Sequence, residues 1–254
     1  MSNDETLLHV EHVSKRFGGF YAVQDVTLGV PPNCLVLLMG PNGSGKTTLI
    51  NCISGVYQPD QGRVVFSSND ITGRLPHEIV RLGLGRSFQI PGPFKMLTVA
   101  ENLLVCGKGH PGETFSGSVL KRRWLEYEDS LIDKALRVLQ VIGLEERRDT
   151  LATELSGGQL KLLELGRLLM LDVKMMLLDE PIGGVNPVLA HSILSHIRKI
   201  REEFRTSFLM VEHRLDIIMQ YVDFVYVLAK GSLMCSGSAD DVMKNKELYD
   251  IYLA

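Results

Sequence analysis

Gly40-Pro41-Asn42-Gly43-Ser44-Gly45-Lys46-Thr47 sets two glycines around a four-residue spacer, follows the second with Lys and Thr, and is backed by Thr48. This is the pattern of a phosphate-binding loop. Its glycines let backbone N–H groups turn inward and approach phosphate oxygens closely. Lys46 is a flexible cation suited to the β- and γ-phosphates, and the Thr47 hydroxyl suits Mg²⁺. A second constellation lies far along the chain, where Met175-Met176-Leu177-Leu178 runs into Asp179-Glu180. A parallel strand presents its carboxyl end to the ligand crevice, so both acids can face a nucleotide. Asp179 then suits the holding of Mg²⁺ through its water shell, and Glu180 the polarising of an attacking water. The plainer alternative is an acid pair that caps the next loop.

Leu155-Ser156-Gly157-Gly158-Gln159 is the third such stretch. Ser-Gly-Gly opens an amphipathic helix and leaves free N–H groups at the positive end of a dipole, a second anion site. One chain carries one phosphate loop, so this helix start has a use in completing the site of another molecule. Taken alone it is weak, because many helices start with Ser and Gly.

The elements that must position these residues follow from hydrophobic patterning. Cys34–Met39 is a short apolar run suited to a buried strand, and Thr48–Ile53 continues as a helix. Strand, glycine loop and helix in that order are the context the loop requires. Upstream, Leu8–Val13 and Val23–Val30 alternate on either side of the turn-rich Phe17–Phe20 and predict antiparallel edge strands. Gly62–Phe66 predicts a strand and Pro76–Leu82 a short helix with Pro in its first turn. Thr98-Val99-Ala100-Glu101 predicts a helix opened by a capping box. Gly107–Gly117 carries four glycines and a proline and predicts an exposed, mobile loop. The basic Lys121-Arg122-Arg123 then leads a long helix with Leu131, Ala135, Leu136, Val138, Leu139 and Ile142 on one side. From residue 160 the alternation returns: helix 160–171, strand 175–178, helix 187–204, strand 208–211, helix 213–219, strand 224–228 and a turn back through Ala229–Ser232. Strands alternating with helices imply a parallel sheet covered on both faces. No internal repeat is present.

Bulk properties exclude several classes. Lys and Arg number 27 against 30 Asp and Glu, a net charge of −3, so the chain lacks the basic footprint of a nucleic-acid binder. Cys34, Cys52, Cys106 and Cys235 are scattered without a C-x-x-C pair, which favours free thiols over a disulfide or metal framework. The polar, acidic start Met-Ser-Asn-Asp-Glu is unlike a signal peptide. No apolar run reaches the roughly 18 residues needed to span a bilayer, so a membrane link would be peripheral.

As a set, the phosphate loop, Gln89, Leu155–Gln159, Met175–Glu180 and His213 resemble, in order, the ATP-binding subunit of ABC transporters. The resemblance covers essentially the whole chain. It implies an α/β P-loop NTPase with a mostly parallel sheet core, an antiparallel β edge region and an inserted helical subdomain. The core would occupy 7–89 and 160–236, the helical subdomain 90–159 and a C-terminal tail 237–254. It further implies that Phe17 stacks on adenine and that His213 contacts the γ-phosphate. Gln89 would sense Mg²⁺ and the attacking water, joining Thr47 and Asp179 at the metal. Catalysis would rest on Glu180, His213 and Gln89, with ATP and Mg²⁺ as cofactors. Ser156, Gly157, Gly158 and Gln159 would act in trans on the ATP of a second ATP-binding subunit, identical or paralogous. Two integral membrane permease subunits would be the other direct partners, with a solute-binding protein engaged indirectly and no nucleic acid. The implied location is peripheral, on the cytoplasmic face of the cell membrane.

One departure stands out. After Glu180-Pro181 the family commonly ends its next loop in Leu-Asp, whereas here it reads Gly183-Gly184-Val185-Asn186-Pro187. Within the family the chain is most similar to the subunits of branched-chain amino-acid importers. The passages that carry this are Gly85–Gln89, Phe94–Leu103, Val211–Ile217, the insertion at 107–125 and the ending Tyr249–Ala254. A lipid exporter subunit would share every ATP motif and stays open as an alternative. A soluble ABC ATPase acting on ribosomes or nucleic acid usually has paired cassettes or long arms, which this chain lacks.

Overall fold

The computed structural model describes residues 6–87, 92–109 and 121–244. They fall into two compact units, Met1–Gln89 with Lys174–Ala254, and Ile90–Val173.

In the first unit the chain runs β1 (Leu8–Phe17), β2 (Phe20–Val30), β3 (Leu35–Met39), α1 (Lys46–Ile53), β4 (Gln61–Phe66), β5 (Asn69–Asp70), α2 (Pro76–Arg81) and β6 (Leu84–Arg86). It returns after the second unit with β7 (Met175–Asp179), α6 (Pro187–Phe204), β8 (Ser207–Val211), α7 (Leu215–Ile218), β9 (Phe224–Ala229), β10 (Ser232–Gly237) and α8 (Ala239–Met243). Six strands form one sheet in the order β10-β9-β3-β8-β7-β6, parallel except for β10. Leu37 at its centre pairs with Met210 on one side and Val225 on the other. Every residue of β3 and β8 is buried, whichever face it points to. Continuous apolar runs are what a parallel sheet covered on both faces demands.

This order decides the function. β3, β8 and β7 are neighbours, so their carboxyl ends emerge side by side although β3 lies more than a hundred positions before the other two. The phosphate loop follows the first, His213 the second and Glu180 the third. The second sheet, β2-β1-β4-β5, is antiparallel, as the alternating segments predict. It shares an apolar cluster with α1 and one face of the parallel sheet: Val10, Leu28 and Val64 join Leu49, Ile50, Ile53, Val36, Leu38 and Leu177. The Tyr226 hydroxyl on β9 accepts from Gly29 N and donates to Gly29 O, both at 3.0 Å, which pins the two sheets together.

The second unit holds α3 (Val99–Leu104), α4 (Lys121–Ile142) and α5 (Gly157–Met170), with short 3-10 turns at Glu145–Arg147 and Ala152–Glu154. The expected capping box is present: Thr98 Oγ1 accepts from Glu101 N at 3.2 Å, and Glu101 Oε2 from Thr98 N at 2.7 Å. α4 buries Ala135, Val138, Leu139 and Ile142, whereas Leu136 is 42% exposed and leaves the buried side assigned to it. One step from Ala135 turns it about 100° around the helix, off the stripe. α5 approaches α3 and α4 closely at Gly166, where a Cβ would meet Ile142 Cδ1 at 2.7 Å and Leu103 Cδ2 at 3.0 Å.

Three boundaries differ from expectation. α5 starts at Gly157 and runs unbroken through positions 159 and 160, so the second unit extends to Val173. The helix expected over 213–219 shrinks to one turn, Leu215–Ile218, and leaves His213 ahead of it. Helix α8 occupies 239–243, inside the stretch expected as a tail, and the remainder from 245 lies outside the described residues, as do Gln89 and positions 110–117 of the expected loop.

Candidate nucleotide site

β3 ends at Met39, and the chain turns through Gly40–Gly45 into α1. Gly40 has φ +154°, and a Cβ there would lie 2.1 Å from Leu228 O on β9. Gly45 has φ +103°, and its Cβ would lie 2.2 Å from Ala22 O on β2. Neighbouring backbones close both positions to any side chain, while the space beside Gly43 is open to a ligand. Ser44 O accepts from Gly231 N at 3.0 Å and Gly231 O from Gln24 N at 2.7 Å, which anchors the loop to β2 and to the β9–β10 turn.

The side chains behind the loop are arranged for an anion. Lys46 is only 6% exposed, and its Nζ donates to Gly40 O at 2.8 Å and Pro41 O at 2.9 Å. Burial pushes the ammonium's pKa down, and the carboxylates of Glu180 and Asp179 oppose that shift. Ser44 Oγ is buried with no hydrogen-bond partner among the described residues. An orphaned buried hydroxyl beside a buried cation and an open glycine backbone fits a phosphate group. A pocket of about 210 Å³ opens here, lined by Asn42, Gly43, Lys46, Thr47, Glu180 and His213 among others.

Across the pocket, His213 Nε2 stands 3.1 Å from Glu180 Oε1, with both side chains about one-third exposed. Glu180 adopts φ +50°, a left-handed conformation that costs a non-glycine residue about 1–2 kcal/mol. It is held there by contacts on both sides. Glu180 N donates to Val211 O at 2.9 Å, and Glu212 Oε1 accepts from Ile182 N at 2.7 Å. Asp179, one residue earlier, is mostly buried, and burial raises its pKa against the pull of Arg86, whose Nη2 lies 3.6 Å away. Arg86 also donates to Asn51 Oδ1 at 2.6 Å and Ser54 Oγ at 2.8 Å on the α1 side. Among the described residues no three His, Cys, Asp or Glu side chains group to hold a metal. Of the residues expected at Mg²⁺, Thr47 lines the pocket, Asp179 ends β7 one residue before Glu180, and Gln89 lies outside the described residues; a hydroxyl and a carboxylate suit a hard cation completed by phosphate oxygens and water.

The remaining candidates are placed as follows. Phe17, at the end of β1, is 47% exposed and so is no core aromatic. Its ring meets Tyr57 edge-on at 5.4 Å, with Lys15 Nζ 5.8 Å from its centroid. Ser156 caps α5: its Oγ accepts from Gln159 N at 3.4 Å, and Gln159 Oε1 accepts from Ser156 N at 2.9 Å. Gly157 is exposed with open space beside it, and Gly158 is buried. These four residues belong to the second unit. Asn186 caps α6, its Oδ1 accepting from Leu189 N at 2.9 Å. Asn serves as an N-cap as well as Asp does, so this departure keeps its local role.

Glu212, Arg86 and Asn51 were not identified by sequence reasoning as site residues. One signal was available for Glu212: an acid directly after an all-apolar strand is buried with the strand and must find backbone donors.

A family model described as "ABC transporter" matches residues 23–183. The chain is 47% identical to the probable branched-chain amino acid transport ATP-binding protein LivG of Archaeoglobus fulgidus, over 97% of this chain and 95% of that protein. It is 32% identical to the high-affinity branched-chain amino acid transport ATP-binding protein LivG of Escherichia coli, over 98% of each. Among solved structures, the ADP conformation of MJ1267, an ATP-binding cassette of an ABC transporter, matches with a TM-score of 0.84 and 41% identity, covering 98% of this chain and 99% of that one.

Proposed function

The chain belongs to the ABC transporter family as one of its ATP-binding, ATP-hydrolysing subunits, and we propose that it powers a branched-chain amino-acid importer. The observation that carries the ATP site is the meeting of three strand ends, which sets Lys46, Glu180 and His213 around one pocket. The near-full-length likeness to LivG proteins supports the choice of solute.

In this reading the loop's N–H groups and Lys46 cradle the phosphates, and the Ser44 hydroxyl gains the partner it lacks. Phe17 offers its exposed face to adenine. Glu180 takes the proton of the attacking water, and His213 steadies that carboxylate and faces the γ-phosphate. Thr47 and Asp179 would hold Mg²⁺, with Gln89 contributing. The ion supplies positive charge against the oxygens of the transferred phosphoryl group. Ser156, Gly157, Gly158 and Gln159 present a helix N-terminus to the ATP of a second subunit, identical or paralogous, so two incomplete sites close around nucleotide.

Membrane coupling is assigned to the loop from Gln89 to Lys95 with the helical region behind it, of which positions 89–91 lie outside the described residues. Phe94 is 49% and Met96 82% exposed, an apolar pair suited to a short helix from a permease subunit. The loop is rigid where it presents them. Asn102, fully buried, accepts from Phe94 N at 2.8 Å and donates to Phe94 O, Leu97 O and Thr98 O at 2.9–3.2 Å. Arg167 donates to Gly92 O at 2.8 Å and stacks 5.0 Å over the Phe94 ring. No described helix is long and apolar enough to cross a membrane, consistent with a peripheral subunit held by such a contact.

The test is uptake by the complex reconstituted with its permease subunits and solute-binding protein. ATP-dependent accumulation of leucine, isoleucine or valine over unrelated solutes is expected. Accumulation of a different solute class, or lipid export, overturns the choice of substrate.

A further inference from the structure

We propose that Glu212 is a positioning residue, a buried carboxylate that locks Glu180 and His213 into one rigid body. This inference rests on the roles given above to Glu180 and His213. Glu212 is 1% exposed at the end of β8, flanked by Val211 and His213. One of its oxygens accepts from Ile182 N at 2.7 Å, two residues beyond Glu180. The other accepts from His213 N at 3.1 Å. A single side chain thus holds the backbone of the loop that follows Glu180 and the backbone that carries His213.

The surrounding contacts make this junction the hub of the pocket's far wall. Glu180 N is tied to Val211 O at 2.9 Å, and Arg214 Nη1 donates to Val185 O at 3.0 Å at the other end of the same loop. Between these two ties the backbone leaves β7 through the left-handed Glu180, a conformation that persists only where neighbours over-determine it. Gly183 packs against it so closely that a Cβ would lie 3.3 Å from Glu180 Oε2. Of these ties, the Glu212 carboxylate is the one that accepts from two backbone N–H groups, Ile182 N in the loop after Glu180 and His213 N. A carboxylate is suited to this because it only accepts and can serve two N–H donors at once. Its effect falls on geometry: it fixes the 3.1 Å approach of His213 Nε2 to Glu180 Oε1 and hence where the base points.

The experiment compares single-turnover and steady-state ATP hydrolysis by the full-length chain in wild-type form and as Glu212→Ala, Glu212→Gln, Glu180→Gln and Glu180→Gln with Glu212→Ala, each checked for folding by thermal denaturation. A misplaced base costs up to about 100-fold in turnover, so Glu212→Ala should lose about 30- to 100-fold in kcat while KM for ATP stays within about twofold. Glu212→Gln keeps an acceptor for Ile182 N but turns an N–H donor towards His213 N, and should recover part of that loss. In the Glu180→Gln background, Glu212→Ala should add less than about twofold, because the base it aims is already gone. Wild-type kcat in folded Glu212→Ala, a change confined to KM, or full additivity with Glu180→Gln overturns the proposal. If Glu212→Ala does not fold, wild-type kcat in Glu212→Gln overturns it and a reduced kcat at unchanged KM supports it. A wild-type protein that hydrolyses ATP with Glu180→Gln equally active instead rejects the assignment of the base, a separate outcome.

Discussion

Replacing Lys46 by Met separates the binding role of this residue from its place in the fold. In the free chain the ammonium is already engaged, 2.8 Å from Gly40 O and 2.9 Å from Pro41 O, and burial depresses its pKa. On the proposed reading, ATP binding exchanges those carbonyls for phosphate oxygens. The gain is the difference between a bond to a neutral acceptor and one to an ionised acceptor. The ion–ion attraction that neutral carbonyls lack is about 4 kcal/mol at about 4 Å for a pair near a protein surface, and part of it is lost to desolvating the phosphate, so the exchange is worth about 2–3 kcal/mol, or about 30- to 150-fold in Kd. Met preserves most of the buried stem. Asn42 and Gly43, next along the chain from these carbonyls, line the pocket, so water entering from it is expected to replace the ammonium and stability to change by less than about 1 kcal/mol. Calorimetric titration with Mg²⁺-ATP, beside a urea melt of the free chain, measures both quantities. A Kd within threefold of wild type would show that this loop does not bind the phosphates. A large loss of stability would show that the carbonyl contacts are structural.

Phe94→Asp should leave ATP affinity of the isolated chain within about twofold, because it lies in the other compact unit, and should reduce co-purification with the permease subunits and solute-stimulated hydrolysis. Normal assembly would reject that docking surface. Ser156→Arg removes the cap of α5 at a cost of about 1 kcal/mol and should abolish ATP-dependent dimerisation on size-exclusion chromatography with the partner present; robust dimers would sink the two-site arrangement. Gly166→Val drives methyl groups into Ile142 and Leu103 and should lower stability by about 1–3 kcal/mol in a urea melt, with ATP affinity unchanged.

What the sequence discloses here is what short-range physics encodes. The phosphate loop is legible because its glycines, lysine and flanking strand and helix lie within about twenty consecutive residues. β7 with its two acids, the capping box at Thr98 and the span of α6 are local patterns too. Glu212, Arg86 and Asn51 escape because their roles depend on strand order. Glu212 reaches Ile182 only because β8 lies beside β7, and Arg86 reaches Asp179 only because β6 lies on the other side of β7. Asn102 likewise reads as a helix residue until the chain before α3 folds back onto it. The boundary expected at 159 failed for a simpler reason. It followed the end of a motif, and the helix that begins at Gly157 ignores it.

On the proposed reading one site does both tasks: the loop binds ATP and Glu180 hydrolyses it. Glu180→Gln keeps the size and much of the hydrogen bonding of the side chain while removing its basicity. Measured in one preparation of the reconstituted complex, Mg²⁺-ATP affinity should remain within about threefold of wild type while single-turnover hydrolysis falls at least about 100-fold and branched-chain amino-acid uptake stops. Hydrolysis and uptake that persist at wild-type rates in this variant would contradict the account.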